Sequence, residues 1–131
     1  MRRLPLDLVI AVAVGLGTAW CVSAGDAAGG TWGHFVSEPV WPWFVLVAAL
    51  GATSGSLMSA VLRSTVSMLI MLYCYYRDRD DLESLADPGN WAVESSPFYW
   101  LVAALTVVPL VASASYGIRS AVRRGLLTRG R

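Results

Sequence analysis

At 131 residues, with 56% hydrophobic side chains and a mean hydropathy of +0.56, the chain is too apolar for an ordinary soluble domain. Its ten basic residues, all arginine, nearly balance nine acids to a net charge of +1, and no separate basic domain exists, so a nucleic-acid binder is excluded. One histidine also excludes a haem held by two histidines of one chain.

The apolar residues fall in long runs, which is the pattern of membrane spans rather than of a periodic soluble core. Residues 6–24 are broken only by Asp7 and, as a helix, extend about 28 Å, close to the hydrocarbon thickness of a bilayer. Met1-Arg2-Arg3, this run and Val22-Ser23-Ala24 before Gly25 also fit a secretory signal, whose cleavage would leave three spans and an external N-terminus. Residues 25–39 form a polar connection with Asp26, His34 and Glu38 and no arginine.

Residues 40–76 are almost uninterrupted, and one helix of that length would extend about 55 Å, so the chain must turn back. Gly51-Ala52-Thr53-Ser54-Gly55-Ser56 supplies the residues for a tight reversal. The alternative is a continuous helix in which Gly51, Gly55 and Ser59, at four-residue spacing, make a packing face and the turn moves toward Arg63-Ser64. A second acidic connection, residues 77–97, holds six acids against Arg77 and Arg79, and residues 98–118 form a last run of about 31 Å. The expectation is one all-α domain over residues 1–131, an integral membrane four-helix bundle with spans at about 6–24, 38–52, 57–76 and 98–118.

Arginine sets its orientation. Seven arginines flank the two chain ends and two lie in the connections, so both termini are expected in the cytoplasm of a cell membrane, which requires an even number of crossings. The same topology sends Trp20, Trp41, Trp43, Trp91 and Trp100, with Trp32, to the outer interface, where amphipathic rings form a rim.

Arg63 is the sharpest anomaly, because an arginine inside a span costs about 2.5 to 3.5 kcal/mol on insertion scales. With the turn at 51–56 it lies near the cytoplasmic boundary, where a snorkelling anchor is the expected role and a polar site shared with Thr106 the alternative. Asp7 lies too close to the same boundary to be read as a carrier's carboxylate. Cys21 and Cys74 fall at similar depth near the outer face, which allows a disulfide or two free thiols. His34 with Asp26 and Glu38 is a weak metal pattern, and the run Asp78-Arg79-Asp80-Asp81-Leu82-Glu83 reads as a solvated loop rather than a pore mouth. Pro109 should kink the last helix, with Thr106 placed to satisfy a freed carbonyl. Gly15, Gly17, Gly51, Gly55 and Ser59 are expected where helices approach closely. No nucleophile and base set or phosphate loop is present, so neither an enzyme nor a cofactor is expected.

Tyr76-Arg77-Asp78-Arg79, Trp91, Ser96-Pro97-Phe98-Tyr99-Trp100, Val108-Pro109-Leu110-Val111-Ala112-Ser113 and Arg123-Arg124 make the C-terminal half similar to small multi-pass membrane proteins of haloarchaea. The resemblance implies a multi-pass protein and no particular activity. The chain lacks the embedded glutamate of small multidrug carriers in its first span and the asparagine-containing motif of fluoride channels. The sequence therefore leads to a small accessory or structural subunit in the lipid bilayer, acting through contacts with other membrane subunits or with itself. A small oligomeric channel or transporter for an ion or small solute is the alternative.

Overall fold

Proline and small polar residues set the helix boundaries. The computed structural model describes residues 4–30, 41–77, 82–90 and 97–129, with the side chains of all but 41, 84, 90 and 126–129. They form α1 (Leu4–Ala28), α2 (Trp41–Thr53), α3 (Leu57–Arg77) and α4 (Pro97–Arg129), with short 3-10 turns at Glu83–Leu85 and Pro88–Asn90. Pro5, Pro42 and Pro97 sit in first turns, where a missing N–H costs nothing. Helix α1 stops at Gly29, whose φ of 61° is the left-handed conformation of a helix C-cap and whose N–H donates to the Gly25 carbonyl. The reversal between α2 and α3 falls at Ser54-Gly55-Ser56. There the Thr53 and Ser54 hydroxyls donate to carbonyls of the last turn of α2, and Ser56 Oγ caps α3 by accepting from the Ser59 N–H.

Three helices, α1, α3 and α4, are long and apolar enough to cross a membrane, while α2, with 13 residues, is shorter. The chain is an all-α membrane protein. Helix α4, at 33 residues, extends about 50 Å and outruns the hydrocarbon layer, carrying Arg119, Arg123 and Arg124 past the end of its apolar run. Pro109 lies inside α4 without ending it. Thr106 does not serve the Leu105 carbonyl left by the missing Pro109 N–H; its hydroxyl donates to Val102 O, 2.7 Å away. Ser113 instead donates to the carbonyl of Pro109 itself.

Helix α3 is the centre of the bundle. It packs α1 on one side and α2 and α4 on the other, while α2 also lies along α4. Alanines and glycines set these approaches: a Cβ on Gly15 would stand 2.7 Å from the Ser67 carbonyl oxygen, and one on Gly51 would stand 2.5 Å from that of Ala112. In lipid, where apolar surface alone does not drive helices together, such close backbone contact supplies the attraction through dispersion. Around it, Val47, Met68, Met71, Leu72, Tyr76, Ala104, Val108 and Ala112 form the core. One end of the bundle gathers the start of α1, the α2–α3 turn and Arg119; the other gathers Asp26 and Tyr75.

Candidate functional site

Buried residues recur along α1 as Asp7, Ala11, Gly15, Ala19 and Val22, one face at helical spacing. On α3 the facing row is Ser59, Arg63 and Ser67, again four residues apart. The helices run parallel in constant register, because Asp7 meets Arg63 and Ala11 meets Ser67, both 56 residues further along the chain.

The pairing at the start of this seam is ionic. Arg63 Nε donates to Asp7 Oδ1 at 2.7 Å, Arg63 Nη2 lies 2.6 Å from the same oxygen, and the Ser59 hydroxyl donates to it at 2.7 Å. Their side chains are 13% and 7% exposed, so both charges are largely removed from surrounding solvent or lipid. One turn on, the Ser67 hydroxyl donates to the Ala11 carbonyl across the same seam at 2.9 Å. On the opposite flank of α3, Ser64 reaches the Val47 carbonyl of α2 at 3.4 Å. The polar side chains of α3 thus tie it to two neighbours, and a charge-assisted cluster holds α1 in place.

This arrangement corrects the reading of Arg63 as a snorkelling anchor: its guanidinium turns into the bundle because a carboxylate waits there. Asp7, which the sequence alone places at the membrane boundary, is that partner. Asp7 is the fourth residue of α1 and Arg63 the seventh of α3, so both lie within the first two turns of parallel helices. The clue in the sequence was one acid and one arginine in two runs that enter the membrane from the same side.

Thr106 lies on the exposed side of α4 and does not join Arg63 in a common path. Of the glycines expected at close approaches, Gly15 and Gly51 abut neighbouring backbone, whereas a Cβ on Gly17 would meet nothing within 4 Å and Gly55 is exposed in the turn. Ser59 is buried against Asp7. Of the two states open to Cys21 and Cys74, a disulfide or two free thiols, the structure has two free thiols. Trp20 is exposed, but Trp43 and Trp100 pack against the core, so the aromatic rim is partly core. Trp32, Trp91, His34, Glu38, Glu94 and the acids Asp78, Asp80 and Asp81 lie outside the described residues, as does the side chain of Trp41. Asp26 accepts a hydrogen bond from Tyr75 Oη at 3.0 Å, closing the far end of the α1–α3 seam.

No family model, curated protein or solved structure matches this chain. Fold and site alone define its class: an all-α membrane bundle whose first helix is fastened to its third by a buried ion pair.

Proposed function

We propose that the chain is a small accessory or structural subunit of the cell membrane, with both termini cytoplasmic, that works by helix contacts with other membrane subunits or with copies of itself. The observation that carries this reading is the closed Asp7–Ser59–Arg63 cluster, whose charges and hydroxyl are directed at one another rather than at a solute. The cavity between α2 and α3, lined in part by Thr18 of α1, is only about 10 Å³, barely a water's worth. Helix α1 meanwhile leaves Val9, Val12, Leu16 and Trp20 exposed, an apolar face that lipid or a neighbouring helix can cover. The reading assigns no catalysis and no cofactor.

Affinity purification of the tagged chain from its native membrane in mild detergent tests it. A larger partner at fixed stoichiometry supports the accessory role, and a chain that always purifies alone as a monomer refutes it. An oligomeric channel or carrier is the second reading, favoured by the intramembrane position of the ion pair. Solute flux in proteoliposomes that is lost in Asp7→Asn, with folding intact, would establish it in place of the first.

A further inference from the structure

At the end of the bundle that carries the α2–α3 turn, α4 and the turn line an open-sided cavity of about 150 Å³, several water volumes. Its walls are polar: Thr53 at the end of α2, Ser54 and Gly55 from the turn, and Tyr116, Arg119, Ser120 and Arg123 from α4. Arg119 and Arg123 stand four residues apart on one helix face, and among the described residues no acid lines the cavity. Arg119 Nη1 donates to the carbonyls of Ala52 and Ser54, so its hydrogen bonds are to main chain and its charge is not met by a carboxylate there. Those bonds complete the C-terminal end of α2 and fix the guanidinium at the cavity wall. The Arg123 fork, the guanidinium edge of Arg119 that its main-chain bonds leave over, and the hydroxyls of Tyr116 and Ser120 are the donor set of an oxyanion site.

Depth narrows the ligand. The apolar run of α4 ends at Ile118, and Arg119 and Arg123 occupy the next turn, the level at which lipid phosphates lie when α4 spans a bilayer. We infer that this cavity binds a phosphate group, presented either by a phospholipid headgroup or as free phosphate.

The test uses the full chain in a neutral detergent, with binding read by native mass spectrometry and by thermal shift. The probes are phosphatidylglycerol, diacylglycerol with the same acyl chains but no phosphate, and inorganic phosphate. Phosphatidylglycerol should bind and diacylglycerol should not. Competition by millimolar inorganic phosphate identifies the free ion as a ligand in its own right, and its absence identifies the lipid headgroup. Arg123→Gln should weaken phosphatidylglycerol binding about fivefold, the equivalent of one arginine–phosphate interaction. Arg124→Gln removes the same charge from the neighbouring exposed position outside the cavity and should change binding less than twofold. Arg119→Gln should weaken binding further but also loosens α2, so it is interpreted only alongside Arg123→Gln. Equal losses in Arg123→Gln and Arg124→Gln would overturn the site in favour of general surface charge. Failure of both phosphate-bearing probes to bind would overturn it outright.

Discussion

Removing either member of the Asp7–Arg63 pair should destabilise the bundle far more than removing both. Asp7→Leu leaves a guanidinium facing the α1 seam without the oxygen that accepts from Nε and Nη2, and we expect a cost of about 3 kcal/mol, the lower end for breaking a buried pair. Arg63→Leu removes both guanidinium contacts but leaves the Ser59 hydroxyl on Asp7, so about 2 kcal/mol is expected. The double variant replaces two desolvated charges by two apolar side chains and should lie within about 1 kcal/mol of the parent, because the cost of burying the ions disappears with them. The coupling energy is then about 4 kcal/mol or more, above the usual range for neighbouring residues. Reversible unfolding in mixed micelles, driven by sodium dodecyl sulfate and followed by tryptophan fluorescence, measures all four proteins. Single costs below 0.5 kcal/mol that simply add in the double variant, as expected of independent sites, would show that the two side chains do not meet and would refute the locked seam.

Gly15→Leu and Gly51→Leu should each cost about 3 kcal/mol by the same assay, since their side chains would run into the main chain of Ser67 and Ala112, while Gly17→Leu, in open space, should leave stability unchanged. Ser59→Ala removes one hydrogen bond to a carboxylate and should cost about 1.5 kcal/mol, less than either charge removal. Tyr75→Phe should cost about 1 kcal/mol by releasing Asp26 at the other end of α1, and amide exchange should rise in the last turns of α1 rather than at Asp7. Mass analysis of unreduced protein after alkylation in denaturant should find two modified cysteines, Cys21 and Cys74; an unmodified pair would restore the disulfide.

Hydropathy made the helices legible, because a span is a property of consecutive residues and needs no partner to be recognised. The break at Ser54-Gly55-Ser56 was legible for the same reason: glycine and short hydroxyl residues between two apolar runs are a local signal. What the sequence concealed was pairwise. Arg63 and Asp7, each taken alone, read as end residues at the membrane boundary, and only the parallel packing of α1 on α3 turns two boundary residues into one buried pair. Glycine behaved alike. Gly15 and Gly17 are two residues apart in one apolar run, yet they face opposite ways on α1, and only the position of α3 decides which of them marks an approach. Cys21 and Cys74 were matched in depth, but equal depth leaves the rotation of each helix undetermined.

The position of the ion pair also bears on how α1 finds its register. Apart from Asp7, the face α1 buries consists of small or aliphatic residues at nearly even spacing, Ala11, Gly15, Ala19 and Val22, so a slip of one turn changes the apolar packing chiefly by setting an alanine Cβ where Gly15 now meets the Ser67 carbonyl. Charge adds a second and larger selection. Slipping α1 by four residues in one direction sets Arg63 beside Ala11; slipping it the other way sets Asp7 beside Ser67. Either slip separates the two charges, at a cost of about 3 kcal/mol for a buried broken pair, roughly a hundredfold in population. The pair therefore contributes little against an apolar replacement but much against misalignment, and the double Leu variant, although stable, should populate more than one α1–α3 register. Cysteine crosslinking between α1 and α3 would detect this: one dominant pairing in the parent, and pairings four residues apart in the double variant. A single unchanged pairing in the double variant would assign register to Gly15 and the Asp26–Tyr75 hydrogen bond instead.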